Sequence, residues 1–231
     1  MPRWILLSLL ALLPALGIAH ERDAANDHTI WSKDIAAFEA ADRAQPPAPG
    51  AVLFIGSSSI RFWTTLASDF PEVRTINRGF GGSEINDATY FAERIVAPYK
   101  PSAIVMYAGD NDIAAGDSPA FVLTEFRDFV RTARAVDPRV PIAFIAIKPS
   151  MARKALLPQI REANEKIRDW AATQSDVSYL DIFTPMLGPD GQPQDKWFRK
   201  DGLHMNRSGY ALWIDLVKPW VDAHGKAAMR H

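Results

Sequence analysis

From Ala51 onward the chain alternates short, uninterrupted apolar runs with amphipathic stretches, and this alternation constrains the fold more than any other feature. The runs are Ala51-Val-Leu-Phe-Ile55, Val73-Arg-Thr-Ile76, Ala103-Ile-Val-Met-Tyr-Ala108, Ile142-Ala-Phe-Ile-Ala-Ile147 and Val177-Ser-Tyr-Leu180. A strand that is apolar along its whole length belongs to a sheet covered on both faces. Between the third and fourth runs, Ser118-Pro119 offers an N-cap followed by proline at the first helical position. Val122, Phe126, Phe129, Val130 and Ala133 then share one helical face. Leu156, Ile160, Ala163, Ile167 and Trp170 repeat the pattern before the last run. Upstream, Trp31, Ile35 and Phe38 predict an N-terminal helix packed on the main body, joined to the first strand by Gln45-Pro-Pro-Ala-Pro-Gly50. Strand and helix in alternation predict an α/β fold: five parallel strands, right-handed crossovers and helices on both sides, a three-layer α/β/α sandwich.

In such a sheet, ligands bind beyond the carboxyl ends of the strands. Gly56-Ser57-Ser58-Ser59-Ile60-Arg61 follows the first run, Asn77-Arg-Gly-Phe-Gly-Gly82-Ser83 the second and Gly109-Asp110-Asn111-Asp112 the third, with Asp201-Gly-Leu-His204 beyond the fifth. Taken singly, each is an ordinary turn or cap. Their joint occurrence at one sheet edge points to chemistry. Asp201 can accept a hydrogen bond from the His204 Nδ1–H and leave Nε2 to take a proton from a hydroxyl. Lys148-Pro149-Ser150 follows the fourth run at the same rim and is read as a substrate contact outside the catalytic set. Phe62, Trp63, Phe80, Trp197 and Phe198 flank the motifs and are read first as core, second as lining for an acyl or sugar pocket.

In this order the motifs resemble the SGNH or GDSL hydrolase family, over about residues 51–215. The family's first block is Gly-Asp-Ser and an aliphatic residue. Here Gly56-Ser57-Ser58 puts Ser58 in the nucleophile's place and Ser57 where aspartate is usual, with Ser59 beside them. The second block, an asparagine followed five positions later by a glycine, is matched by Asn77 and Gly82. The third, Gly-x-Asn-Asp, is matched in full by Gly109 to Asp112, and Asp-x-x-His by Asp201 and His204. The resemblance implies a flavodoxin-like fold and a carboxylic ester hydrolase with a Ser58, His204 and Asp201 triad. Its oxyanion hole would be the backbone N–H groups of Ser58 and Gly82 with the Asn111 amide. It implies no cofactor and no metal, and as substrate an acyl or acetyl ester of a lipid, lysophospholipid or carbohydrate. The alternative is a non-catalytic carbohydrate- or lipid-binding protein on the same scaffold. A metal-dependent hydrolase using Asp110, Asp112, Asp201 and His204 is a third reading, weakened by the lack of any His-x-His or His-x-x-x-His pair.

Arg3, the apolar run Ile5 to Leu16 and Gly17-Ile18-Ala19 make residues 1–19 an expected export signal, too short to span a bilayer comfortably. The mature chain would be periplasmic or secreted, with no stable membrane insertion. Residues 20–50 are then the N-terminal helix and linker, and 51–231 the hydrolase domain. With no cysteine the fold relies on its core, which a chain 48% apolar can supply. A net charge of −1 without a basic cluster gives no footprint for nucleic acid.

Overall fold

The computed structural model describes residues 27–225, and the expected export segment, residues 1–19, lies outside them. A 3-10 turn at His28–Trp31 leads into α1 (Ser32–Ala44), β1 (Val52–Gly56), α2 (Ser58–Arg61), α3 (Leu66–Asp69) and β2 (Thr75–Gly79). Next come α4 (Ile85–Tyr90), α5 (Ala92–Ile95), β3 (Ala103–Tyr107), α6 (Asp110–Ala115) and α7 (Pro119–Val136). The chain continues through β4 (Ile142–Ile145), α8 (Leu157–Ala171), β5 (Val177–Leu180), α9 (Phe183–Met186) and α10 (Arg207–Gly225). None of the helices among the described residues is long and apolar enough to cross a membrane.

The five strands form one parallel sheet in the order β2-β1-β3-β4-β5, so the chain enters at β1 and reverses direction between β1 and β3. That reversal is the switch point at which sheets of this kind bind ligands. Side-chain alternation sorts the helices onto the two faces. Phe144 is in register with Met106 and packs on Phe126 of α7, with ring centroids 4.7 Å apart. The next residue of β3, Tyr107, points the other way and meets Trp213 of α10 at 4.8 Å. Thus α7 covers one face with α8 beside it, and α10 covers the other. The Ser118 hydroxyl caps α7 as its sequence predicts, accepting from the Phe121 N–H at 3.2 Å, and Val122, Phe126, Phe129, Val130 and Ala133 are buried. Each such phenylalanine contributes about 1.5–3 kcal/mol by leaving water.

Two strands differ from their apolar runs. β2 is Thr75–Gly79 rather than Val73 to Ile76, because its second half is polar residues with dedicated partners. Arg78 pairs with Asp42 of α1 and lies over the rings of Phe38 and Tyr99, so the N-terminal helix docks on this edge strand. β4 ends at Ile145, not Ile147. The buried amide of Asn164, on α8, takes both backbone groups of Ile147: Ile147 N–H donates to its Oδ1 at 2.8 Å, and its Nδ2 donates to the Ile147 carbonyl at 2.9 Å. This clamp steers residues 148–153 across the sheet edge.

Candidate active site

Gly56 sets the first loop. Its φ is +134°, and a Cβ there would lie 1.9 Å from the Tyr107 carbonyl oxygen, so only glycine lets Ser57 N–H bond that oxygen at 3.0 Å. The turn buries Ser57 and Ser59, at 0% and 2% exposure, and leaves Ser58 between them partly exposed at the start of α2. Asn77 holds α2 against β2: its Nδ2 donates to the Ile60 carbonyl at 2.7 Å and its Oδ1 accepts from Gly79 N–H at 2.9 Å.

The second and third loops are joined by Asp112. Its carboxylate accepts from Ile85 N–H and Gly109 N–H, both at 2.9 Å. Beside it, Asn111 Nδ2 donates to the Ser83 carbonyl at 2.9 Å, which sets that amide next to Gly82. Gly82 has φ of +83° and is exposed, and a Cβ there would come within 3.1 Å of the Trp31 ring. Among the described residues, neither the Ser58 nor the Gly82 backbone N–H donates to a protein acceptor.

Asp201 holds the fourth loop together. Its Oδ1 accepts from Leu203 N–H and His204 N–H at 2.9 and 2.8 Å, and its Oδ2 lies 2.8 Å from His204 Nδ1. Burial raises this carboxyl, but the His204 ring and the two backbone donors outweigh it and hold it at about 2. An ionised carboxylate only accepts, so Nδ1 carries the hydrogen and Nε2 is left as the proton acceptor. The ring meets Phe62 edge-on at 5.0 Å. Phe62 follows Ser58 by four residues, its N–H bonding the Ser58 carbonyl at 2.8 Å, so His204 packs on the residue that closes the helical turn begun by Ser58. Tyr210 Oη adds a hydrogen bond to the Ser59 carbonyl at 2.9 Å.

Lys148 is not a substrate contact. Its side chain is fully buried, and Nζ donates to Asp110 Oδ2 at 2.6 Å and to Tyr107 Oη at 2.9 Å. The same carboxylate oxygen lies 3.0 Å from Arg153 Nη1, and Arg153 Nη2 donates to Asn111 Oδ1 at 2.7 Å. Burial raises the Asp110 carboxyl, and the Lys148 ammonium and Arg153 guanidinium more than reverse this, holding it below its ordinary value. For Lys148 burial dominates and lowers it, partly opposed by Asp110. Ala152 N–H bonds the Gly202 carbonyl at 3.0 Å and closes the circuit: serine loop to histidine loop to 148–153 segment to Asn111 turn to Gly82 loop and back. Among the flanking aromatics, Trp63, Phe80 and Phe198 are core, Trp197 is half-buried, and Phe62 is the one beside His204.

The residues weighed as metal ligands do not form one cluster, since Asp110, Asp112 and the Asp201–His204 pair each have the separate partners above. Among the described residues, the carboxylates that do gather are Asp112, Asp117 and Glu125, within 4.8 Å of one another and all buried. Burial, reinforced by Asp112, pushes Glu125 well above the usual carboxylate range. Burial raises Asp112 too, against the Ile85 N–H bond. An acid raised in the folded chain keeps its proton there after the unfolded chain has released it, so stability falls as pH climbs from the ordinary carboxylate range toward the folded value. Glu125→Gln removes that titration. The variant is expected to gain about 1–3 kcal/mol over the parent in mildly alkaline buffer and to show a flatter melting curve against pH; coincident curves would mean that Glu125 is already ionised.

The comparisons with known proteins agree with this architecture. GDSL esterase/lipase WDL1 of Oryza sativa subsp. japonica is 25% identical over 207 residues, covering 74% of this chain and 78% of its own. A GDSL-like lipase of Bacteroides thetaiotaomicron VPI-5482 superposes with a TM-score of 0.68 at 19% identity, over 85% of this chain and 98% of its own. A carbohydrate esterase family 3 protein of Talaromyces cellulolyticus gives 0.63 at 18% identity, over 77% and 99%. The model of the GDSL-like lipase/acylhydrolase family matches residues 40–212, most of the chain, and this chain therefore belongs to that family.

Proposed function

We propose that the protein hydrolyses a carboxylic ester with Ser58 as nucleophile, His204 as general base and acid, and Asp201 fixing the imidazole. The observation that carries this reading is the packing of His204, held by Asp201, on Phe62, which closes the helical turn begun by Ser58, the accessible serine of the loop. Ser58 Oγ attacks the ester carbonyl carbon as its proton passes to His204 Nε2. The tetrahedral oxyanion is met by the Ser58 and Gly82 backbone N–H groups and the Asn111 amide. Collapse expels the alkoxide, which takes the proton from Nε2. Water, deprotonated by the same nitrogen, then releases the acid and restores Ser58.

The substrate is an acyl or acetyl ester of a small molecule, lipid or carbohydrate, in keeping with relatives named esterase/lipase and carbohydrate esterase. Export to the periplasm or medium belongs to the same proposal and is tested by sequencing the amino terminus of the secreted chain. The central test is intact mass and peptide mapping after exposure to a fluorophosphonate. One adduct on Ser58, lost in His204→Ala, is expected; an adduct on Ser57 or Ser59, or none on the folded protein, would sink the reading. A series of nitrophenyl esters from acetate to palmitate then ranks acyl lengths.

A further inference from the structure

We propose that Arg153 is a positioning residue that fixes the Asn111 amide with its N–H side toward the reacting carbonyl. The inference rests on the reading of Asn111 as an oxyanion donor. A carboxamide has two nearly isosteric ends, of which only the NH2 end can donate to a developing negative charge. Flipped, it would set a lone pair against that charge. Two contacts choose the end. The Arg153 guanidinium, 2.7 Å from Oδ1, has no acceptor, so it must face the amide oxygen. The Ser83 carbonyl, 2.9 Å from Nδ2, has no hydrogen to give, so it must face the amide nitrogen. Both partners favour one orientation, and a flip would break both bonds at once. The second hydrogen on Nδ2 is left for the substrate.

Arg153 is itself anchored. Asp110 lies 3.0 Å from its Nη1, and that carboxylate is held by Lys148 at 2.6 Å, with Tyr107 behind. The guanidinium side chain is only 16% exposed, so its charge is little screened and polarises the amide toward stronger donation. The chain Tyr107, Lys148, Asp110, Arg153, Asn111 thus runs from the sheet to the proposed oxyanion site.

A double-mutant cycle separates this role from direct contact with substrate. kcat and KM on one nitrophenyl ester are measured for Asn111→Ala, Arg153→Met and the double variant, with melting temperatures. Asn111→Ala is expected to lower kcat by about 10²–10³-fold, and Arg153→Met by about 10–100-fold with KM nearly unchanged. In the Asn111→Ala background the Arg153 effect should vanish, because the residue through which it acts is gone. Effects that multiply, or a rise in KM with kcat intact, would overturn the proposal and make Arg153 a substrate contact. Arg153→Lys keeps a donor and is expected to recover part of the lost kcat; if Arg153→Met does not fold, the lysine variant runs the same cycle, and its deficit must likewise vanish. An Asn111→Ala variant with undiminished kcat would instead refute the oxyanion assignment on which the inference stands.

Discussion

Ser58→Ala is expected to lower kcat by roughly 10⁴-fold or more while the melting temperature stays within a few degrees of the parent. The two halves of that expectation come from different facts. The activity loss follows from removing the group that forms the acyl bond in the proposed mechanism. The intact fold follows from the position of Ser58, whose partly exposed hydroxyl makes no hydrogen bond among the described residues. Ser57 and Ser59 are the controls. Among the described residues the Ser57 hydroxyl is buried without a hydrogen-bond partner and the Ser59 hydroxyl lies against Tyr107, so alanine at either position should leave kcat within about tenfold and cost at most about 1–2 kcal/mol of stability. His204→Ala should match Ser58→Ala, and the pair together should be no worse than either, since the two act as one device. A silenced Ser57→Ala or Ser59→Ala beside an active Ser58→Ala would move the nucleophile and undo the mechanism.

Whatever in this site depends on local order along the chain is legible in the amino-acid sequence. The strands of the sheet centre are apolar because both faces are covered; β3 and β4 fall within their runs, and β1 oversteps its run by Gly56 alone. Asp201 and His204 lie three apart in one loop, so their hydrogen bond is a local event. Asn111 and Gly82 sit in recognisable turns. The 148–153 segment is not legible in the same way. Arg153 reaches Asn111 across 42 residues from a stretch with no period, and nothing near it in the chain names its partner. A weaker signal does exist. Asn164 interrupts the apolar face of α8 between Ala163 and Ile167, and a buried amide there must satisfy backbone groups. The end of β2 escapes the apolar pattern for the opposite reason, since its polar residues pair with α1 and α2 rather than with water.

Lys148→Met is expected to cost roughly 3–5 kcal/mol of folding stability, because breaking a buried ion pair strands its partner in a medium that does not solvate charge. On a domain of this size that is a fall in Tm of roughly 6–20 °C. The loss arises at Asp110, 5% exposed, which would keep Arg153 at 3.0 Å but lose the 2.6 Å bond to the ammonium. The pH response should also weaken. In the parent, Asp110 is held below its ordinary value, so its contribution is present above the unfolded carboxylate range and is lost as pH falls through the folded value. Without the ammonium, burial acts on Asp110 with less opposition and only Arg153 to counter it, so the stability that the parent loses as pH falls through the carboxylate range is expected to be reduced in the variant. Replacing both partners, Asp110→Leu with Lys148→Met, removes the buried carboxylate and leaves only the Arg153 guanidinium, 16% exposed, without its counter-ion, so stability should recover in part over the single variant. The double variant should still be slow, since Arg153 has lost its anchor behind Asn111. A double variant more stable than the single one yet still slow is the pattern expected of a charge network kept to orient the Asn111 amide; a single variant as stable as the parent would show that the buried pair is not ionised.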